Sequence, residues 1–217
     1  MNITVFIADD HTIIRDGLRS LLEAQGDIHV VGDADNGREA VQQVHKLAPD
    51  VVLMDIAMPE VNGIDATRQI TSEMSKPHVV ILSMHSTSEH IFRAFQAGAF
   101  GYLLKDSAGS EVVDAVREVS LGRHYLSQKI TEAMIVDYVH QGKMSSTDSP
   151  LDSLTIRERE VLQLTVEGRS SAEIGKTLSI SPKTVDTYRS RLMHKLGISD
   201  LPTLVRFTIQ HGLTRLE

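Results

Sequence analysis

Five short apolar runs, separated by stretches with helical periodicity, fill the first 120 residues and constrain this chain more than any other feature. The runs are Ile3–Ala8, Ile28–Asp33, Val51–Met54, Val79–Ser83 and Phe100–Leu104. Near-continuous apolar runs of this length, closed by turn residues, read as strands buried on both faces. Helical patterns lie between and after them at 11–25, 36–47, 62–74, 87–97 and 108–120. Five strand–helix units in succession require a parallel sheet covered on both sides. The expected fold class is therefore an α/β doubly wound five-stranded parallel sheet of order 2-1-3-4-5, with the winding reversing between strands 1 and 3. That order brings the C-terminal ends of strands 1, 3, 4 and 5 to one edge, where open α/β sheets bind ligands. No internal repeat or low-complexity tract interrupts the pattern.

The stretch VVLMDIAMPEVNG, residues 51–63, runs four apolar residues straight into Asp55 and then turns at Met58-Pro59 and Asn62-Gly63. Asp9 and Asp10 follow the apolar run of strand 1. A single acid at a strand end is usually just a solvated side chain. Three that converge repel one another and call for a cation. Oxygen-only ligands suit Mg²⁺, which in turn suits an incoming phosphoryl group. Ser83 closes strand 4 with a hydroxyl donor, and Lys105 closes strand 5 with an ammonium, followed by Asp106. Each alone is unremarkable, but all five at one edge make Asp55 a phosphate acceptor.

Composition narrows the setting. The 217 residues allow one large domain or two ordinary ones. There is no apolar run long enough to span a bilayer, and the N-terminus lacks the basic flank of a secretory signal. Zero cysteines exclude disulfides, thiolate metal sites and cysteine nucleophiles. A cytoplasmic location is expected, with no membrane partner. Charge is uneven: residues 1–143 carry 12 Lys+Arg against 20 Asp+Glu, and residues 144–217 carry 10 against 9. An acidic part and a locally basic one suggest two tasks.

The second part reads differently from the first. Residues 127–140 form one more helical pattern, and GKMSSTDSPLDS breaks it, so 141–153 is expected to be a linker. Residues 154–212 read as four short helices. Thr155 with Glu158, and Ser170 with Glu173, are spaced as capping boxes. Ser181-Pro182 supplies an N-cap and a proline at the first helical position. Asp200 is placed to cap the last helix, and Gly168 and Gly197 to end two others.

The set Asp9, Asp10, Asp55, Ser83 and Lys105, with Met58-Pro59 and Gly63 after the acceptor, resembles the receiver domain of bacterial two-component response regulators, a flavodoxin-like fold. The resemblance covers about residues 1–122. It implies that Asp55 takes phosphate from a cognate histidine kinase. It also implies that Asp10 ligates Mg²⁺ directly, Asp9 through water, and Ala57 through its backbone carbonyl. Tyr102, three residues before Lys105, falls where the family has a switch aromatic; taken by itself it reads as a half-buried strand residue with its hydroxyl in water. Phosphohydrolases with an aspartyl-phosphate intermediate resemble this site too. They carry a second Asp two residues after the nucleophile, where this chain has Ala57. Without that base the acyl phosphate should persist. The chain is thus expected not to be an enzyme, and at most to dephosphorylate itself slowly. His85 reads as a cover for the fourth helix.

Residues 154–196 resemble the LuxR-type helix-turn-helix, matching at Thr155, Glu158, Val161, Leu162, Gly168, Glu173, Ile174, Leu178, Ser181, Thr184, Val185 and Leu192 among others. Receiver plus this small all-α four-helix module is the NarL/FixJ architecture. The expected division is 1–122 receiver, 123–153 connecting helix and linker, and 154–217 DNA-binding domain. Val185, Leu192 and Leu196 share one face of the third helix and should pack inward. The opposite face presents Lys183, Asp186, Thr187, Ser190, Arg191 and His194, as a recognition helix would. Lys183, Arg191 and Lys195 are expected on DNA phosphates, and Asp186, Thr187 and Ser190 on base edges. Thr184 and Tyr188 complete the candidate DNA-binding set. Asp186 and Ser190 stand where several relatives are basic, and Gly175 where alanine is common. Leu204, Val205 and Ile209 on the last helix either complete the core or form a dimer surface. The resemblance implies a phosphorylation-activated transcription regulator. Its partners would be double-stranded promoter DNA, a second copy of itself when phosphorylated and, as a further candidate, RNA polymerase.

Overall fold

The computed structural model describes residues 2–84, 86–106, 108–141, 150–211 and 213, which form two compact units. His85 and residues 142–149, most of the expected linker, lie outside the described residues.

The first unit is built on six parallel strands: β1 (Ile3–Ala8), β2 (Ile28–Ala34), β3 (Val51–Asp55), β4 (His78–Ser83), β5 (Gly101–Leu104) and β6 (Tyr125–Leu126). Their order is β2-β1-β3-β4-β5-β6, so the expected 2-1-3-4-5 arrangement holds, with one strand added beyond it. The added strand pairs Tyr125 with Gly101 and Leu126 with Tyr102. Two residues carry no periodicity of their own. Only the free edge of β5 makes them a strand, which is why the sequence pattern does not announce it.

The helices of this unit are α1 (Thr12–Glu23), α2 (Gly37–Leu47), α3 (Gly63–Glu73), α4 (Ser88–Gln96), α5 (Ala108–Ser120) and α6 (Gln128–Gln141). Asn36 caps α2 by accepting from the Glu39 amide, and Asn62 caps α3 by accepting from the Asp65 amide. Alternation along the strands sends Val5, Ile7, Leu53, Val80, Leu82 and Leu103 to a core shared with Leu18 and Leu22 of α1 and Val112 and Val116 of α5. The intervening residues Phe6, Met54, Ile81 and Tyr102 are equally buried on the other face. Each such aliphatic side chain stabilises the fold by about 1.5–3 kcal/mol relative to exposure. Among the described residues no helix is long and apolar enough to cross a membrane.

The second unit holds α7 (Ile156–Val166), α8 (Ser171–Leu178), α9 (Pro182–Leu196) and α10 (Leu201–Gln210), the four helices expected. Both capping boxes form, Ser181 and Asp200 cap α9 and α10, and Gly197 ends α9 in the left-handed conformation. A 3-10 turn at Pro150–Ser153 precedes them, and its Leu151 is fully buried beside Leu154, Leu164 and Ile174. The last residues assigned to the linker therefore belong to this core, because Leu151 and Leu154 project the same way from one tight turn. Gly175 has a packing reason. A Cβ there would stand 2.7 Å from the Ile180 carbonyl oxygen, while the Ile180 amide donates to the Gly175 carbonyl at 2.9 Å. The glycine lets the chain close tightly between α8 and α9.

Candidate functional site

The strand order delivers the side chains that the sequence nominates to one edge of the sheet. Asp9 follows β1 directly and Asp55 ends β3, and both are fully buried. Asp10 and His11 follow Asp9 toward α1. Carboxylate oxygens of Asp9, Asp10 and Asp55 and an imidazole nitrogen of His11 all lie within 4.8 Å of one another. Lys105, just past β5, places Nζ 2.7 Å from Asp9 Oδ2 and 2.9 Å from Asp55 Oδ2. Its ammonium offsets the repulsion between two buried carboxylates that water cannot screen. The Lys105 amide donates to the Ser83 carbonyl at 2.9 Å, so the ends of β4 and β5 are fixed together.

Asp9 and Asp10 show what the cluster is suited to hold. Asp9 Oδ2 and Asp10 Oδ1 are buried and accept no hydrogen bond of good geometry among the described residues. Lys105 Nζ lies 2.7 Å from Asp9 Oδ2 and His11 Nδ1 2.7 Å from Asp10 Oδ1, each without hydrogen-bond alignment. Buried carboxylate oxygens in that condition, in an oxygen-rich cluster, fit a hard divalent cation. Ala57 sits half-buried two residues past Asp55.

The loop after Asp55 is held by its backbone. The Gly63 amide donates to the Ile56 carbonyl at 2.8 Å. This draws the N-terminus of α3 against β3 so closely that only a glycine fits.

Tyr102 departs from the reading of its position alone. It is fully buried rather than half-buried, on the face of the sheet opposite Leu103. Its hydroxyl is hydrogen-bonded to Ser83. Burial pushes the phenol pKa up to about 12; the Ser83 bond opposes the rise and the Asp55 charge adds to it. Ser83 is itself buried at 1 % exposure. A line of contact therefore runs from the acceptor edge into β5.

Two groups that sequence reasoning passed over complete the edge. The His11 amide donates to Asp9 Oδ1 at 2.9 Å, and Arg15 donates to the Asp9 carbonyl at 2.7 Å. Their nearness to Asp9 in sequence was the available signal.

In the second unit, α9 buries Val185 and Leu192 and half-buries Leu196. Lys183, Asp186, Thr187, Ser190, Arg191 and His194 are exposed on the other side. Thr184 and Tyr188 lie at the margin, with Tyr188 packed on the core. Asp186 accepts from the Ser171 hydroxyl at 2.6 Å, which ties α9 to the start of α8. Lys195 points elsewhere. Its Nζ donates to Glu158 Oε2 at 2.6 Å and to the Ser153 carbonyl at 3.1 Å. On α10, Leu204 is fully buried in the core, while Val205 and Ile209 are half-buried.

Residues 5–117 match the model of the response regulator receiver domain, and residues 152–208 match that of the bacterial regulatory proteins of the luxR family. The chain belongs to the response regulator family. As a response regulator with a receiver and a LuxR-type DNA-binding domain, it is a DNA-binding transcription regulator of two-component signalling. It is 40% identical over 198 residues to the transcriptional regulatory protein LiaR of Bacillus subtilis, covering 91% of this chain and 92% of LiaR. It is 38% identical over 215 residues to the response regulator UvrY of Escherichia coli, covering 99% of this chain and 97% of UvrY. Among solved structures it resembles RcsB from Salmonella enterica serovar Typhimurium, bound to promoter DNA in the presence of the phosphomimetic BeF3−. The TM-score is 0.60 and the identity 25%, over 95% of this chain and 98% of that one.

Proposed function

We propose that this response regulator accepts a phosphoryl group on Asp55 from a histidine kinase and thereby changes its affinity for promoter DNA. The observation that carries this reading is the position of Asp55: a fully buried carboxylate at the C-terminal end of β3, 2.9 Å from the Lys105 ammonium and clustered with Asp9 and Asp10. An Asp55 oxygen attacks phosphorus, the bond from phosphorus to the donor imidazole breaks, and the phosphoryl group stays on Asp55. Lys105 is positioned to pair with the transferred group, and the Ser83 hydroxyl to donate to it. Asp9, Asp10, Asp55 and the Ala57 carbonyl would hold Mg²⁺, which when bound neutralises charge on the phosphoryl oxygens. Ala57 offers no base to activate water, so self-dephosphorylation is slow.

Lys183, Thr184, Asp186, Thr187, Tyr188, Ser190 and Arg191 form the DNA-reading side of α9. Lys183 and Arg191 are the phosphate contacts within it. Lys195, committed to Glu158, steadies the domain instead. Val205 and Ile209 supply the apolar part of a dimer contact, supported by Leu204 beneath, and the dimer matches an operator with two half-sites. The proposed divisions are 1–122 receiver, 123–149 connection and 150–217 DNA-binding domain. The protein acts in the cytoplasm, with RNA polymerase as a partner at the promoter.

Footprinting on promoter DNA, with and without beryllofluoride and Mg²⁺, tests the reading. Tighter binding with the mimic is expected for the native protein and no response for Asp55→Asn. A response that survives Asp55→Asn would remove Asp55 from its role.

A further inference from the structure

We propose that β6 and the first turn of α6 form a latch on the β5 edge, and that phosphorylation of Asp55 loosens it. The inference rests on the phosphoacceptor reading above and extends it to a segment outside the site.

The latch is short. β6 pairs through two residues, whereas β4 pairs with β5 through four, from Val80↔Gly101 to Ser83↔Leu104. Its backbone bonds are Tyr125 N–H to the Phe100 carbonyl at 3.0 Å and Ser127 N–H to the Tyr102 carbonyl at 3.2 Å. A strand this short persists only where neighbouring packing holds it. That packing is α5 against β6, with Tyr125 on the sheet core, and α6 against β5 and α4.

Two fastenings of the latch, the Ser127 backbone bond and the Asp106–Lys129 pair, sit one step from groups that face Asp55. Tyr102 bonds Ser83 through its side chain and Ser127 through its backbone carbonyl. Lys105 holds Asp55 and Asp9, and the next residue, Asp106, pairs with Lys129 in the first turn of α6 at 3.0 Å. The Asp106–Lys129 pair is more than half exposed on both sides, so water and salt weaken it.

A phosphoryl group on Asp55 replaces the single carboxylate charge with about two, carried on three acceptor oxygens. The donors beside it, Ser83 and Lys105, are drawn toward those oxygens. Ser83 then gives up Tyr102, whose side chain is fully buried. Either the ring or the strand must shift, and the shortest ladder on β5 is the one to β6. Ser127 biases the outcome. It is fully buried, yet its hydroxyl has no hydrogen-bond partner among the described residues. The closed latch therefore holds a desolvated polar group that opening would return to water. An open latch adds residues 123–141 to the chain that joins the two units.

Hydrogen exchange of the full-length protein, with and without beryllofluoride and Mg²⁺, tests this. Exchange at the Tyr125 and Ser127 amides should rise about tenfold or more with the mimic while β1 and β3 keep their protection. Peptides across residues 55–63 report whether the mimic has bound. Slowed exchange there with no change at 123–129 overturns the latch and leaves the phosphoacceptor reading standing. No change at either place overturns both. Lys129→Ala, which leaves the acceptor site intact, should raise exchange at 123–129 without the mimic, and an unaltered rate would remove the Asp106 fastening. Ser127→Ala should slow exchange there and blunt the response to the mimic; faster exchange would contradict the bias assigned to its hydroxyl.

Discussion

A Cβ on Gly63 would stand 1.9 Å from the carbonyl oxygen of Asp55. Neither the carbonyl nor the helix start is a flexible group that can yield, so Gly63→Ala must push α3 away from the end of β3. Overpacking of this kind costs about 1–3 kcal/mol or more. The expected result is a lower urea midpoint for the first unit together with lost beryllofluoride binding. Gly17 is the internal control: it lies exposed within α1 with nothing within 4 Å of a Cβ. Gly17→Ala should raise stability by about 0.5–1 kcal/mol. Equal effects from the two substitutions would mean the close approach at Gly63 is not a constraint.

Ser83 and Tyr102 should be energetically coupled. Ser83→Ala removes the hydrogen bond between Ser83 and the buried Tyr102 phenol and should cost about 1–3 kcal/mol. Tyr102→Phe removes the phenol itself and should cost less. In a double-mutant cycle by chemical denaturation, the coupling should be about 0.5–1.5 kcal/mol. Additive losses would break the proposed path from the acceptor edge to β5.

Acid should weaken the second unit through Glu158. Burial raises the pKa of this carboxyl, but the Lys195 ammonium and the Thr155 amide and hydroxyl more than reverse that and hold it below the ordinary 4.5. A depressed folded pKa gives stability that is fully present above 4.5 and lost as pH falls through the lower folded value. Glu173, held down by the Ser170 hydroxyl and amide, and Asp200, held down by the Thr203 amide and hydroxyl, act with the same sign. Thermal melts should therefore be flat from pH 7 to about 5 and fall below that. Glu158→Gln should lower the neutral melting temperature, with the two curves converging in acid. A constant gap down to pH 3 would place the effect in packing, not charge.

DNA binding should separate Lys195 from the exposed cations of α9. With Lys183 and Arg191 each on one phosphate per protomer, a dimer gives a slope of log K against log salt of about −4. Lys183→Ala or Arg191→Ala should reduce that slope by about two in the dimer. Lys195→Ala should lower the melting temperature and leave the slope unchanged. A reduced slope for Lys195→Ala would return it to the DNA face.

The amino-acid sequence by itself determined the order of the first five strands, the helices of each unit among the described residues, and the meeting of Asp9, Asp10, Asp55, Ser83 and Lys105 at the acceptor edge. Those features rest on local information. A strand is visible as an apolar run, a cap as a Ser or Thr three residues before a Glu, and a strand-end Asp needs only the sheet order to find its partners. Tertiary structure decided the rest. Tyr125 and Leu126 become a strand only because β5 has a free edge. Tyr102 is buried on Ser83 because α6, β6 and β4 surround β5. Lys195 turns to Glu158, 37 residues away, because α7 and α9 pack side by side. Each depends on which distant atoms occupy the next few ångströms, and the 2.0 and 3.6 residue periods of a chain carry no record of that.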